Sequence, residues 1–306
     1  IIMPAHNLAG SIAANIRHVC DLFTGILPFE LVVVDDGSTD HTAEQIRTTA
    51  ATVPSLRPVY LAHNMGKGDA LRRGFAASKG TYVLLLDGDL DLPPHQVSRF
   101  FTIMEQKRVD MVIGSKLHPD SSVGSYPWHR RLTSLAYYAF AKILVGLPTR
   151  DTQTGIKLFR REVLEWVFPR MLVKQFAFDL EMLAIAHEKG FRVAESPISL
   201  RAGAQWGVVR ASTVKQVLWD TLAIFYRLRL LRYYQTIRDT RMPEPPPLIS
   251  IVVAFPAPSA CLDECLAGIR SQTYPHYEVI LLPDAPTGRT WPERIREIPT
   301  GKILPA

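Results

Sequence analysis

Asp87, Asp89 and Asp91 stand at alternate positions directly after the apolar run Tyr82–Leu86, in the stretch LLLDGDLD. Asp and Gly are common where a strand turns into solvent, but three carboxylates at this spacing repel one another and need a counter-charge. Oxygen donors at that density suit a hard divalent cation, Mg2+ or Mn2+, which offsets the repulsion and can hold a diphosphate. The expected metal set is therefore Asp87, Asp89 and Asp91. A second acidic corner, Asp35-Asp36-Gly37-Ser38, closes the run Leu31–Val34. There a carboxylate can accept hydrogen bonds from a base or ribose while Gly37 makes the turn; Ser38 or Asp40 can equally cap the helix that follows. Gly66-Lys67-Gly68 resembles a phosphate loop without the spacing of a P-loop, which makes Lys67 a candidate phosphate contact.

The elements that must position these residues are legible as alternating patterns. Ile1–Met3, Leu31–Val34, Pro58–Leu61, Tyr82–Leu86 and Met111–Ile113 read as strands, and Ile12–Phe23, Thr42–Ala50, Asp69–Ala77 and Gln96–Gln106 have helical spacing. Strands and helices alternating at this pace predict right-handed crossovers and a mostly parallel, doubly wound α/β sheet. Ligands of such sheets gather beyond the carboxyl ends of the strands. The polar clusters PAHN, DDGSTD, HNMGKG and DGDLD fall at those ends, one after each of the first four strands. Further on, Arg130–Val145 reads as a helix, DTQTGIKLF as a turn entering a short strand, Phe176–Lys189 as a helix and Val193–Ile198 as a strand. Ser212–Arg238 reads as one long helix with apolar and basic faces.

A hydrophobic content of 47% with 21% charged residues describes a globular chain, neither disordered nor fibrous. Cys20, Cys261 and Cys265 are too few for a disulfide framework, and no Cys/His cluster completes a zinc site. The residues from Arg201 to Arg241 include eight basic and two acidic side chains, a net excess equal to the +6 of the whole chain. Basicity confined to one segment argues for a local anionic partner and against general nucleic-acid binding. No apolar run is long enough to span a bilayer. The chain opens inside a strand-like IIMPAHN and reads as a fragment, which leaves room for a membrane anchor outside it. After the stiff linker MPEPPP (242–247), LISIVVAFP, CLDECLAGIRSQ and YEVILLPDAP repeat the opening order of strand, helix and strand, with PDAP where the first copy has DDGS. The expected organisation is a catalytic domain over 1–211, a basic amphipathic helix near a membrane over 212–241, the linker, and a truncated second module over 248–306 without chemistry of its own.

PAHN, VVVDDGSTDHT, HNMGKGDALRRGF, LLLDGDLDLPP, RDTQTGIKLFRREV and FAFDLEMLAIAHEKGF, in this order, resemble family 2 glycosyltransferases of the GT-A fold, and within them the polyprenyl- and dolichyl-phosphate sugar transferases. RDTQTGIKLF with FAFDLE is most similar to the dolichyl-phosphate glucosyltransferase branch, and residues 248–306 are similar to the start of another such module. The resemblance implies that Pro4, Ala5, His6, Leu8, Val34, Asp35 and Asp36 hold the nucleotide base and ribose, with Lys67 also on the nucleotide sugar. Asp87, Gly88, Asp89 and Asp91 match its metal and diphosphate motif. Arg131 and Arg201 match phosphate-contacting arginines, and Asp179 and Glu181 the acidic pair beside the acceptor. Three positions depart from the pattern: Leu8 replaces a Glu, Asp91 a Gln, and after Arg201 the usual Ser-Lys is absent and Ala-Gln-Trp-Gly appears at 204–207, leaving Arg210 to supply the missing cation.

The implied reaction is inverting transfer of a hexose, glucose favoured, from a nucleotide-diphosphate sugar to a polyprenyl or dolichyl phosphate, with Mg2+ or Mn2+ as cofactor. The implied place is peripheral, on the cytoplasmic face of a membrane. The alternatives are a GDP-mannose-dependent dolichyl-phosphate mannosyltransferase and a transferase to a saccharide or cell-envelope hydroxyl, which would need a general base such as Asp179.

Overall fold

The computed structural model describes residues 1–122, 128–173, 177–201, 211–236, 248–271, 277–292 and 295–298, apart from the side chains of 128–134, 211–214 and 260. The chain divides into two compact units, Ile1–Asp239 and Thr240–Ala306.

In the first unit, seven strands form one sheet: β1 (Ile2–Ala5), β2 (Leu31–Asp35), β3 (Leu56–Tyr60), β4 (Tyr82–Leu85), β5 (Met111–Ser115), β6 (Lys157–Arg160) and β7 (Val193–Pro197). Their order is β3-β2-β1-β4-β6-β5-β7. Only β6 runs antiparallel to its neighbours β4 and β5; the remaining pairs are parallel. The helices α1 (Ile12–Phe23), α2 (Thr42–Ala50), α3 (Lys67–Ala77) and α4 (Val97–Gln106) provide the crossovers, followed by α5 (Trp128–Val145), α6 (Arg161–Val167) and α7 (Phe178–Lys189). Alternation along each strand divides the apolar side chains between two layers. Ile2, Val32, Val34, Val83 and Leu85 share one cluster with residues of α3, α6 and α7, while Met3, Val33, Leu84 and Leu86 share the other with α1 and α4. Because both faces are covered, the central strands are apolar at nearly every position. Gly74 sets how closely α3 approaches: a Cβ there would lie 2.5 Å from Ile2 Cγ2.

The strand order reverses between β1 and β4, and the crevice outside their carboxyl ends is the place such a sheet offers a ligand. Antiparallel β6 brings its amino end to the same place. Lys157 at its head lies in register with Leu85 of β4 and Ile113 of β5. Helix α7 is apolar on all sides and buried from Phe178 to Ala186, as befits a helix inside the core. It carries Asp179 and Glu181 in its first turn, where the helix dipole favours acids.

The expected long helix from Ser212 to Arg238 is broken. Helix α8 runs over Ala211–Phe225, a π-helical turn covers Tyr226–Leu230, and a short α9 spans Tyr233–Thr236. Arg232 between them has φ 48°, which no helix tolerates. Tertiary bonds explain the break: the Arg227 guanidinium turns inward to Glu181 at 2.7 Å, and Tyr234 donates to the same carboxylate oxygen at 2.5 Å. Arg238 lies outside the described residues. The second unit has its own three-stranded parallel sheet, in the order β10 (Ile295–Glu297), β9 (Tyr277–Pro283), β8 (Ile249–Phe255), with Leu262 and Leu266 of α10 (Ala260–Arg270) clustered with Val279 and Leu281 of β9.

Candidate active site

The first loop, after β1, is built on side-chain bonds to the second. Asn7 has φ 53°, a conformation Asn adopts more readily than most residues. The Ser38 hydroxyl accepts its backbone N–H at 3.0 Å, and its side-chain Oδ1 accepts Thr39 N–H at 2.9 Å. Leu8 N–H donates to Thr42 Oγ1 at 2.7 Å. His6 is exposed and donates from Nδ1 to the Asp36 carbonyl at 2.9 Å. Pro4, Leu8 and Gly88 meet: a Cβ on Gly88 would fall 2.7 Å from the Pro4 carbonyl oxygen and 3.0 Å from Leu8 Cδ1. Asn15 holds the Gly88 carbonyl from below at 2.8 Å.

The two acids after β2 are occupied in building this corner. Both Asp36 oxygens accept backbone N–H groups, from Met65 at 2.8 Å and Gly66 at 3.0 Å, while Asp35 accepts the Ser38 N–H and hydroxyl. Both are buried. Their side chains therefore fix the loop that carries Lys67. The side chain of Val34 is likewise unable to face a nucleotide, because it is fully buried against Gly74. Ala5 is buried too, and its carbonyl accepts Asp36 N–H at 2.9 Å.

At the acidic corner the three aspartates take different surroundings. Among the described residues, no group of three or more His, Cys, Asp or Glu gathers around one point. Asp87 has a partner within the chain: Lys67 Nζ lies 2.5 Å from its Oδ1. Burial pushes the Asp87 carboxyl up, but Lys67, and beyond it Lys157 and Lys116, hold it below the usual range. Gly155 presses on the other oxygen, since a Cβ there would sit 1.9 Å from Asp87 Oδ2. Only glycine fits that approach. Asp89 reaches the surface at the mouth of the crevice, where desolvation and then the Asp87 charge push it above the usual carboxylate range. Between Asp89 and Asp91 stands Leu90 at φ 53°, a strained backbone of the kind that collects at functional sites. Asp91 N–H donates to Asp89 Oδ1 at 3.2 Å, and Asp91 O accepts Arg201 N–H at 2.9 Å. This brings exposed Arg201 to the acidic corner. The side chain of Arg131, and Arg210 altogether, lie outside the described residues.

The donor chemistry still fits a hard cation. Mg2+ is ordinarily bound by one or two protein carboxylates together with substrate phosphates, not by a full protein cage. Asp89 and Asp91 can supply that number, while Asp87 is neutralised by Lys67.

The acidic pair of α7 separates into two roles. Asp179 borders the crevice, 5% exposed, with Lys157 Nζ 2.5 Å from its Oδ1. Lys157 is itself only 1% exposed and also donates to the Thr154 carbonyl. Glu181 is fully buried and fully bonded: Leu172 and Val173 N–H donate to Oε2 at 2.9 and 2.7 Å, Arg227 and Tyr234 to Oε1. It cannot reach an acceptor, and its place is in the framework. Lys157 and Gly155 escaped the sequence reading, although a lysine heading the apolar strand KLF signals a buried counter-ion.

Residues 1–168 match the model of glycosyl transferase family 2. Glycosyltransferase AglD of Haloferax volcanii is 31% identical over 201 residues, which are 65% of this chain and 32% of that protein. A dolichyl-phosphate beta-glucosyltransferase of Dictyostelium discoideum is 32% identical over 178 residues, 56% of this chain and 54% of that one. The chain thus spans about half or less of these relatives. Glucosyl-3-phosphoglycerate synthase from Mycobacterium tuberculosis, crystallised with Mn2+, UDP-glucose and phosphoglyceric acid, matches with a TM-score of 0.55 at 20% identity, covering 73% of this chain and 78% of that chain. At that identity the likeness carries the fold alone, and it bears out the expected mostly parallel GT-A sheet.

Proposed function

The chain belongs to glycosyl transferase family 2, and from that premise we propose that residues 1–239 transfer a hexose, glucose favoured, from a nucleotide-diphosphate sugar to a dolichyl or polyprenyl phosphate. Relatives named for dolichyl-phosphate glucosyl transfer support the acceptor class. The observation that carries the reading is the commitment of the acids on the acceptor side: Asp179 is ion-paired to buried Lys157, and Glu181 is held by four donors. An alcohol acceptor needs a base to take its proton. A phosphate monoester does not, because its second pKa is about 6 and it arrives ionised. Its oxygen attacks the anomeric carbon from the face opposite the diphosphate, the glycosidic C–O bond breaks, and the electron pair leaves with the nucleoside diphosphate.

Roles follow for this chain's residues. Pro4, His6 and Leu8 line the nucleotide side of the crevice. Asp89 and Asp91 would hold Mg2+ or Mn2+, which supplies charge to the leaving diphosphate when bound. Lys67, kept protonated by Asp87 and then Asp179 against the opposing pull of desolvation, adds a fixed cation beside it. Arg131 and Arg201, by resemblance, receive the acceptor phosphate, and Arg210 supplies the cation that the departure after Arg201 leaves missing. One observation favours the hydroxyl-acceptor reading: burial pushes Asp179 above the usual carboxylate range despite Lys157 and Lys67, which suits a base. A labelled panel of UDP-glucose and GDP-mannose with dolichyl and undecaprenyl phosphate decides. Label from UDP-glucose is expected in the organic phase, and chelator is expected to abolish it. Label confined to aqueous saccharide would overturn the lipid-phosphate reading.

The membrane reading changes its physical basis. Among the described residues no helix is long and apolar enough to cross a membrane. Arg227 faces Glu181, and Arg229 donates to the Val145 carbonyl at 3.0 Å. The outward side of α8 and its π turn instead presents Trp219 at 73% exposure, with exposed Leu218, Leu222, Tyr226 and Leu230. Trp and Tyr among aliphatic side chains on one helix face suit the headgroup boundary of a bilayer. We therefore place this face against the cytoplasmic leaflet that holds the acceptor lipid. In liposome sedimentation, Trp219→Ser with Leu222→Ser is expected to lower the bound fraction several-fold; binding equal to wild type would contradict it. Neutralising Arg227, Arg229, Arg232 and Arg238 together is a poor test, because Arg227→Gln breaks the pair with buried Glu181.

A further inference from the structure

Two lysine–aspartate pairs lie side by side under the crevice. Lys67 with Asp87 is partly open, their side chains 37% and 32% exposed, whereas Lys157 with Asp179 is closed off at 2% and 7%. A buried ion pair rarely stabilises a fold more than an apolar pair of the same volume, because desolvation offsets the attraction. Its presence beneath a crevice therefore points to function. Lys157 has two bonds with different consequences. Its ammonium meets Asp179 Oδ1 at 2.5 Å, and it also donates to the carbonyl of Thr154. The loop at Thr154 is anchored in turn by Asp151, whose Oδ2 accepts the Thr154 hydroxyl at 2.7 Å and Lys116 N–H at 3.0 Å. The next residue, Gly155, is packed onto Asp87. One buried cation thus ties the first turn of α7 to the loop that backs the acidic corner.

We propose that Lys157 is a positioning residue: it aims the Asp179 carboxylate at the acceptor side of the crevice and seats the 154–155 loop behind Asp87, so that the reacting groups are held from beneath. The inference rests on the transferase reading above, and it goes beyond that reading by assigning a role to a side chain that substrate cannot reach. Positioning of this kind acts on turnover more than on donor binding, since misplacement by about 1 Å can cost about 100-fold in rate.

The test is a double-mutant cycle on folded protein with the donor and acceptor found active for the wild type. Lys157→Met and Asp179→Asn are each expected to lower kcat about 100-fold while nucleoside-diphosphate affinity, measured by calorimetry, stays within about threefold. Lys157→Met with Asp179→Asn leaves no lone buried charge and so guards against a folding failure of the first variant. Its kcat is expected to match the single variants, because residues acting as one unit are not additive. A multiplicative loss of about 10,000-fold, or normal kcat in Lys157→Met, would overturn the proposal. A crystal structure of Lys157→Met supplies a readout independent of activity. The Asp179 carboxylate is expected to turn from its place, and finding it unmoved overturns the positioning role even if no transfer is detected. Inactivity of the wild type with every donor and acceptor would count against the transferase reading alone.

Discussion

Asp89→Asn is expected to lower turnover about 1,000-fold without loss of the folded state. The magnitude is that of removing one group aimed at charge that develops in the transition state, about 100- to 1,000-fold in kcat, with the weakened metal site added. The folded state should tolerate the change because Asp89 is crowded: desolvation, Asp87 and then Asp91 disfavour its ionised form. An uncharged isostere relieves that repulsion when no cation is present. The melting temperature of the metal-free variant should equal or exceed that of the wild type, and Mn2+ affinity measured by calorimetry in the presence of nucleoside diphosphate should fall. Asp87→Asn should behave differently, since it removes the partner of Lys67 at 2.5 Å and leaves that ammonium with only the charges of Asp179 and Asp89. Unchanged turnover in Asp89→Asn, or in excess chelator, would remove the metal from the mechanism.

The acidic corner shows where sequence reading reaches and where it stops. Continuous apolar strands between amphipathic helices demand covered sheet faces, so the parallel architecture and its carboxyl-end crevice were legible from local periodicity alone. Repulsion among Asp87, Asp89 and Asp91 was legible too, but its remedy was not. One counter-charge is Lys67, twenty residues earlier, delivered by the loop that Asp36 pins through Met65 and Gly66. Lys157 is hidden for a topological reason: it enters the site only because β6 runs antiparallel and presents its amino end where its neighbours present their carboxyl ends. The broken helix after Ala211 has the same origin. Helical spacing continues through Leu231, while the interruption is set by Glu181, which lies 46 residues from Arg227 and 53 from Tyr234. Periodicity carries no information about such partners.

Glu181→Ala is expected to destabilise the first unit by about 3–5 kcal/mol, the cost of leaving one partner of a buried ion pair uncompensated. For a unit of this size each kcal/mol lowers the melting temperature by about 2–4 °C, so a fall of roughly 6–20 °C should be seen by calorimetry or circular dichroism. The loss is large because four donors converge on this carboxylate: the backbone N–H groups of Leu172 and Val173, the Arg227 guanidinium and the Tyr234 hydroxyl. Arg227 then loses its carboxylate partner at 2.7 Å, and the π turn loses the bond that bends it. Glu181→Gln keeps one acceptor oxygen but offers an amide N–H to donors on its other side, so it should recover only part of the stability. A melting temperature within about 2 °C of wild type for Glu181→Ala would mean that the convergence is incidental. The effect should also appear at a distance. Glu181 fastens the π turn and α9 to α7, so its loss should loosen the apolar face of Trp219, Leu222 and Tyr226 from the helix that carries Asp179, lowering liposome binding and lipid-phosphate turnover together while nucleoside-diphosphate affinity holds.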